Sequence, residues 1–432
     1  MNSSMEKKEL SNREKRRRRR IKSQIAAYVT LAVVIGALTA GAVIGIKTII
    51  KHMNQYNDKV AEALQEAETN VEHETAVVES ETQETENTDV QQEDDPLDEL
   101  VDALLKDMTL EEKVAGMFMV TPEAITGVGK AVQAGDGTRT ALAENPVGGL
   151  IYSEQNYQSD NQFLEMMTNT RSYSKYPLFL AVRRECGDAT SFGIEATAKA
   201  SELTDSDSVR EAYGTIATKL AAFGIDMDLA PVADIVSEQG NSELQGRTFG
   251  SDGATAAPLV NAAVQALQER EISAVLMTFP GEGAAADGTI SKSLEELKNS
   301  DFLTFQSAIQ NGVDGIMVSN VTASEITGDD TPCSLSGAVI TDILRGTLGY
   351  TGIVMTDMLN ESAVTGKYSS AQAAVAAIQA GADMLLCPAD YKEAYQGVLD
   401  AIAAGTITED RIQESLYRIY RVKYKNTLDN IQ

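Results

Sequence analysis

The chain has 432 residues, a net charge of −28 and no tryptophan. That length allows one large domain with additional segments. The acidic balance argues against nucleic acid as a partner, because binding phosphates requires a basic face.

The charge is distributed very unevenly along the chain. Residues 1–52 contain twelve Lys or Arg and three acidic residues, whereas residues 53–96 contain fourteen acidic residues and only Lys59. The remainder, 97–432, has a net charge of −24. We therefore divide the chain into a basic N-terminus (1–24), an apolar segment (25–46), an acidic linker (47–96) and a folded domain (97–432).

Residues 25–46 form an uncharged stretch of 22 residues that follows a run of arginines at 16–20. As a helix it would be roughly 33 Å long, which is enough to cross a bilayer. The positive flank predicts a cytoplasmic N-terminus and an exported body. A cleaved signal peptide is the alternative, with Ala40-Gly41-Ala42 as a small-residue site. The length favours an uncleaved anchor, because signal h-regions span about 7–15 residues.

The linker is rich in Glu, Thr and Gln and poor in aromatic residues. Such a composition cannot bury enough apolar surface to fold alone, so we expect a disordered tether that separates the domain from the membrane.

Cysteine and histidine usage limits the metal and disulfide chemistry. Three cysteines, Cys186, Cys333 and Cys387, do not indicate a disulfide framework, although one pair could form. The two histidines, His52 and His73, both precede the predicted domain. We expect neither a zinc site nor any other cofactor.

From residue 97 onward, short apolar runs alternate with amphipathic stretches. Four of the predicted helices span 258–270, 302–311, 340–348 and 370–380. About eight such cycles predict an α/β fold, a single (β/α)8 barrel of the TIM type. A doubly wound open sheet is the alternative, but no G-x-G-x-x-G follows the first strand. The predicted strands are 116–120, 149–152, 178–182, 227–231, 274–278, 315–319, 352–356 and 384–387.

Asp357 is the first candidate for catalysis. A glycine turn leads into the apolar run Ile-Val-Met at 353–355, which ends at Thr356 and Asp357. Parallel α/β barrels place their catalytic residues at the C-terminal ends of strands, so Asp357 is a candidate nucleophile or base. The alternative is an Asp that only caps the next helix.

Other polar residues follow the remaining predicted strands and would meet Asp357 at one mouth of the barrel. Several carboxylates around one mouth suit glycoside hydrolysis, which needs an acid and a base or nucleophile. The alternative is that these are ordinary polar loop residues of an acidic protein. Glu282 and Asp287 are candidate acid/base residues, and the expected substrate-binding residues are Arg183, Glu185, Asp234, Arg247 and Asn320.

Several motifs in the correct order resemble family 3 glycoside hydrolases, specifically the single-domain bacterial β-N-acetylhexosaminidase branch. Gly-Ile-Asp-Met-Asp-Leu-Ala-Pro-Val-Ala-Asp at 224–234 is similar to G-I-x-x-x-x-A-P-V-x-D. Arg-Thr-Phe-Gly-Ser-Asp at 247–252 resembles R-S-F-G-x-D. Phe-Pro-Gly-Glu-Gly at 279–283 resembles part of K-H-F-P-G-H-G. The resemblance covers residues 105–425.

The resemblance implies a retaining mechanism in which Asp357 attacks the anomeric carbon and a covalent glycosyl-enzyme is then hydrolysed. It also implies a carbohydrate partner, such as an amino-sugar oligosaccharide of the cell wall. The family's acid/base is an Asp-His pair on the loop after the fifth strand. Asp287 matches the Asp of that pair, and Glu282 is the other candidate acid.

The chain departs from the family pattern at positions that matter for this chemistry. No histidine occurs after His73, so the acid/base histidine is missing. Arg183 replaces an Asp that holds sugar hydroxyls, and Met277-Thr278 replaces a Lys-His pair that grips the sugar. Losing a positioned acid/base typically costs about 10²–10⁴-fold in rate.

Three hypotheses therefore remain at this point. The first is a membrane-anchored glycosidase with impaired or altered activity. The second is a pseudo-glycosidase that binds carbohydrate or recruits wall proteins. The third is a barrel scaffold in which Asp357 is only structural.

Overall fold

The computed structural model describes residues 95–285 and 288–428. The predicted anchor (25–46), most of the linker, and Asp287 lie outside these residues. No helix within the described ranges is long and apolar enough to span a membrane. The strands are β1 (Phe118–Val120), β2 (Gly149–Ile151), β3 (Phe179–Val182), β4 (Met227–Asp228), β5 (Ser273–Phe279), β6 (Gly315–Val318), β7 (Ile353–Thr356) and β8 (Leu385–Leu386).

Helices precede, separate and follow these strands, as expected for a repeating βα fold. One of them, the helix at Ala338–Thr347, is a π-helix. The helices are α1 (Pro96–Asp107), α2 (Leu110–Gly116), α3 (Pro122–Thr126), α4 (Asp136–Glu144), α5 (Asp160–Tyr173), α6 (Ser206–Phe223), α7 (Gly253–Gln268), α8 (Leu294–Lys298), α9 (Phe302–Gln310), α10 (Ser324–Thr327), α11 (Ala338–Thr347), α12 (Ser362–Thr365), α13 (Ser370–Ala380), α14 (Tyr391–Ala403) and α15 (Glu409–Leu428).

The eight strands form a single parallel sheet in the order β7-β6-β5-β4-β3-β2-β1-β8. A parallel bridge between Met355 and Met384 joins the two end strands. The Thr356 N–H donates to the Met384 carbonyl at 3.0 Å, which adds to this closure. The predicted TIM-like barrel is therefore confirmed. Each predicted strand overlaps one observed strand, and β5 extends one residue beyond its prediction at each end.

All eight strands are buried at every position, because helices cover the outside and side chains fill the inside. This burial explains why short, continuous apolar runs were sufficient to locate them.

Helix α7 begins five residues before the predicted start at Pro258. The Asp252 side chain accepts a hydrogen bond from the Thr255 backbone N–H at 2.9 Å and so caps an earlier turn. The helix then continues through Pro258. The prediction of this boundary was wrong, because a proline in an early turn does not have to mark the start.

The last helix, α15, closes the end of the barrel opposite to Asp357. Its cations pair with aspartates that directly precede alternate strands: Lys423 with Asp226 before β4, and Lys425 with Asp314 before β6. A third aspartate before β8, Asp383, is fully buried among arginines. The bottom of the barrel is thus held by ion pairs in which every aspartate faces at least one cation.

Asp383 shows this arrangement most clearly. Its side chain contacts Arg345 at 2.5 Å, Arg418 at 3.1 Å and Arg411 at 3.7 Å. Ser415 also donates a hydrogen bond to it at 2.8 Å. Three cations around one buried carboxylate offset its desolvation, so this cluster is a structural anchor.

The three cysteines are buried and free. Burial raises the pKa of the Cys186 thiol to about 11 and of the Cys333 and Cys387 thiols to about 12. They therefore behave as small core residues with poor thiolate reactivity.

Candidate active site

Asp357 lies directly after β7, at the C-terminal mouth of the barrel. Its backbone N–H donates to the Val318 carbonyl at 2.8 Å, and its Oδ1 accepts from the Met358 N–H at 2.7 Å. Burial, followed by the charge of Glu361, raises the pKa of Asp357 to about 6. The charges of Arg183 and Arg247 act in the opposite direction. Asp357 is therefore a carboxylate that can be ionised near neutral pH but is poorly solvated.

Glu282 follows β5 and is the second carboxyl group of the mouth. The Ser319 hydroxyl contacts its Oε1. Burial, followed by the nearby negative charge of Asp234, raises the pKa of Glu282 to about 8, and Asp357 adds to this effect. Glu282 therefore tends to hold a proton at neutral pH, which is the state required of a general acid.

Asp234 supports Glu282 from behind. Its Oδ2 accepts from the Thr278 N–H at 2.7 Å and the Thr278 hydroxyl at 3.1 Å, and its other oxygen contacts the Glu282 N–H. Only 1% of Asp234 is exposed, and burial raises its pKa to about 6. It fixes the start of the loop after β5, so the structure places it as a positioning residue for Glu282.

Arg247 faces the mouth of the barrel, and Glu185 holds it in place from behind. The guanidinium binds both carboxylate oxygens, with Nε–Oε2 at 2.8 Å and Nη2–Oε1 at 2.6 Å. Glu185 is 2% exposed, whereas the Arg247 side chain is 31% exposed. This bidentate geometry fixes the direction in which Arg247 faces the mouth.

The loop after β3 carries Arg183 outward and Arg184 inward. Arg184 is fully buried and donates to the backbone carbonyls of Glu185 at 2.6 Å and Glu195 at 3.1 Å. It therefore fixes the backbone on either side of itself. Arg183, in contrast, has a side chain that is 59% exposed.

Asn320 follows β6 and lies 3% exposed behind the loop that carries Asp357. Its amide donates to the Met358 carbonyl at 2.8 Å and to Glu361 at 3.0 Å. Ser334 donates to its carbonyl oxygen at 2.6 Å. It thus orients the loop after β7.

A cavity of about 590 Å³ occupies the mouth, and Asp357, Glu282, Arg183 and Arg247 line it. Glu185, Asp234 and Asn320 do not line it but hold the residues that do. The volume is typical of small-molecule sites. Asp287, the other predicted acid, lies outside the described residues.

A larger cavity of about 1020 Å³ lies at the opposite end, between α15 and the loop before β7. We assign the site to the smaller cavity because it contains two carboxyl groups with raised pKa values and no ion-pair partner among the described residues, Asp357 and Glu282, in the place where barrels carry their chemistry. In the larger cavity, Asp314 is paired with Lys425. Within the described ranges, no group of three His, Cys, Asp or Glu side chains is arranged to hold a metal ion.

Glu361 is a site residue that the sequence analysis missed. It lines the cavity, and its charge raises the pKa of both Asp357 and Glu282. Its position four residues after Asp357, in the same loop, was the available signal. The same cavity contains Met277, so an apolar side chain lies where the resemblance expects a sugar-binding lysine.

Comparisons with known proteins agree with this geometry. The model of the glycosyl hydrolase family 3 N-terminal domain matches residues 109–422. A β-hexosaminidase of Tolumonas auensis is 32% identical over 267 residues, which cover 57% of this chain and 77% of that protein. An uncharacterized secreted glycosyl hydrolase of Arthroderma benhamiae is 30% identical over 301 residues, covering 64% and 84%.

Among solved structures, a family 3 β-N-acetylglucosaminidase from Paenibacillus sp. FPU-7 superimposes with a TM-score of 0.69 at 29% identity. The match covers 74% of this chain and 63% of the Paenibacillus chain.

Proposed function

Because this chain belongs to glycosyl hydrolase family 3, with β-hexosaminidase-like relatives, we propose that it hydrolyses β-linked amino sugars with retention of configuration. The observation that carries this proposal is a pair of carboxyl groups, Asp357 and Glu282, that line one cavity at the mouth of the barrel without a cation partner in the described part of the chain. Asp357, with a pKa of about 6, is ionised at pH 7, whereas Glu282, with a pKa of about 8, is protonated. Two carboxyl groups in opposite protonation states are the requirement for this reaction.

Each residue then has a defined task. The Asp357 carboxylate attacks the anomeric carbon while Glu282 gives its proton to the departing glycosidic oxygen. Glu282, now ionised, accepts a proton from water as that water attacks the glycosyl-enzyme, and Asp357 is released. The Arg247–Glu185 pair orients the guanidinium toward the sugar, where it can donate to hydroxyl oxygens.

We favour Glu282 over Asp287 as the acid because its surroundings supply what an acid needs. Desolvation and three nearby carboxyl groups, those of Asp234, Asp357 and Glu361, keep its proton in place. Its backbone is held by Asp234, and Ser319 contacts its side chain. With a carboxylic acid that has no histidine partner, we expect altered rather than absent activity.

A non-catalytic carbohydrate receptor is the alternative. It is favoured by the missing histidine and by Arg183 and Met277, which replace the residues that grip the sugar in the resembled family. This function would retain the cavity without turnover.

We further propose that the domain works outside the cell, anchored by residues 25–46, with cell-wall glycan as its source of substrate. The uncharged 22-residue stretch behind the arginines at 16–20 supports this location.

Hydrolysis of an aryl β-N-acetylglucosaminide tests the proposal. An activated phenol needs little help from an acid, so turnover isolates the nucleophile. We expect Asp357→Asn to abolish activity, and Glu282→Gln to slow alkyl glycosides far more than aryl ones. Asp342→Asn, at an exposed position on α11, is the matched control and should behave like wild type.

If wild type and Asp357→Asn are equally inert toward aryl glycosides, the catalytic proposal fails. Sugar binding by the wild-type protein would then favour the receptor.

A further inference from the structure

Arg183 lines the cavity and makes few contacts with the rest of the protein. Its side chain is 59% exposed, and it approaches Glu185 only through Nε, at 3.6 Å. Among the described residues, its two terminal nitrogens have no hydrogen-bond partner. A guanidinium fork that faces a cavity with its terminal donors unused is available to a ligand.

In Arg247, which lines the same cavity, each guanidinium nitrogen donates a hydrogen bond. It occupies both oxygens of Glu185, and its Nη1 also donates to the Glu243 carbonyl at 3.3 Å. Glu185 therefore neutralises Arg247 and has little capacity left for Arg183. The two arginines therefore share one carboxylate, which leaves a net positive charge on this wall of the cavity.

The position of this charge relates it to the reacting sugar. Arg183 and Asp357 line the same cavity, and the charge of Arg183 lowers the pKa of Asp357 against the dominant effect of burial. A sugar placed for attack by Asp357 would therefore also lie near the Arg183 fork.

The remaining charged groups of the cavity limit where an anion could lie. Asp188 already faces the buried Arg184 at 3.3 Å, and Glu361 accepts from Asn320. The other two acidic lining residues, Glu154 and Glu243, are exposed to solvent. Ionised Asp357 and Glu361 repel an anion near the anomeric carbon. The favourable place for a negative group is therefore on the side of the sugar that faces Arg183.

We propose that this site takes β-glycosides whose sugar carries a carboxylate, and that Arg183 is the residue that selects it. The inference rests on the proposed hydrolysis by Asp357 and names a group that the substrate sugar carries. A planar carboxylate matches the guanidinium fork in both geometry and charge, whereas a neutral sugar leaves the charge without a counterion. The carboxylate comes from a hexuronic acid or from an O-lactyl group on an amino sugar.

Binding measurements test this without requiring turnover. Ligand-observed NMR titrations compare D-glucuronate with D-glucose, and N-acetylmuramic acid with N-acetylglucosamine. We expect wild type to bind at least one acid about tenfold more tightly than its neutral partner, which is the magnitude of a single partly exposed charge-assisted contact. The acid that shows the preference identifies the source of the carboxylate.

Arg183→Gln should remove the preference, and Arg183→Lys, which retains the charge without the fork, should restore part of it. Arg210→Gln, which removes an arginine 47% exposed outside the cavity, is the matched control and should keep the preference. Equal binding of acid and neutral sugar by wild type overturns the inference, as does the absence of binding by both acids.

A turnover assay separates this inference from the proposed function. If aryl β-glucuronides and β-N-acetylglucosaminides both remain intact, the proposed hydrolysis fails, while the binding preference still decides the role of Arg183. If neutral aryl glycosides are hydrolysed as well as acidic ones, hydrolysis holds and carboxylate selection is wrong.

Discussion

Replacing Glu282 by Gln is expected to stabilise the fold increasingly as the pH rises. The pKa of Glu282 is raised from 4.5 to about 8 by burial and by neighbouring carboxyl groups. Because the folded state favours the protonated form, this group's stabilising contribution is complete below pH 4.5 and is lost as the pH rises toward 8. Gln has nearly the same shape and stays neutral, and its carbonyl oxygen can still accept from Ser319.

The expected difference in the free energy of unfolding follows from the size of the pKa shift of Glu282. Each pKa unit corresponds to about 1.4 kcal/mol, so wild type loses about 3 kcal/mol relative to the variant between pH 4.5 and 7, and about 5 kcal/mol above pH 8. Because the charge of Asp234 contributes to the raised pKa of Glu282, proton uptake by Asp234 relieves part of this effect and the observed difference will be smaller. We therefore expect a difference of about 2–5 kcal/mol at pH 9.

Guanidinium chloride denaturation of wild type and Glu282→Gln at pH 5, 7 and 9 measures this difference in the free energy of unfolding. Asp342→Asn is the control, and its difference from wild type should not change with pH in this way. Parallel pH dependences for wild type and Glu282→Gln would refute the raised pKa, and with it the role of Glu282 as the acid.

Three further predictions concern the site, the bottom of the barrel and the anchor. For wild type, kcat/KM should be bell-shaped, rising near pH 6 as Asp357 ionises and falling near pH 8 as Glu282 loses its proton; a flat profile across this range would contradict the assignment. Asp383→Asn should lower the free energy of unfolding by about 3 kcal/mol, because it leaves three arginines without their carboxylate, and should not change KM; a changed KM with unchanged stability would contradict a structural role. Deleting residues 1–50 should release the protein from membranes with an unchanged melting temperature, and a large fall in melting temperature would show that the domain depends on this segment.

The barrel and the position of Asp357 could be predicted because both depend on local patterns. Strands buried on both faces leave short apolar runs, and the run at 353–355 ends at the mouth, two residues before Asp357. Pairing of the strands then follows from the repeat alone. Three of the residues that line the cavity could be found in the same way, as polar groups that follow strands: Arg183, Arg247 and Glu282.

The roles of the supporting residues could not be predicted, because they depend on contacts between loops that are distant in sequence. Asp234 and Asn320 follow strands as Asp357 does, yet they bind backbone groups 44 and 38 residues away. The pairing of Lys423 with Asp226 spans 197 residues. Only the folded barrel distinguishes a side chain that faces the cavity from one that lies behind it.

The bottom of the barrel pairs its buried carboxylates with cations, whereas three carboxyl groups at the mouth are buried without one, and this contrast argues against a purely structural barrel. At the bottom, Asp226, Asp314 and Asp383 each pair with at least one cation. At the mouth, no lysine or arginine of the described residues lies within ion-pair distance of Asp357, Glu282 or Asp234, and the pKa of each is raised. Burying a carboxyl group without a cation destabilises the fold at neutral pH, and apolar or amide side chains of similar size would avoid that cost. A scaffold has no use for three such groups, whereas a glycosidase needs one that is ionised and one that is protonated, together with a fixed neighbour that keeps the proton in place.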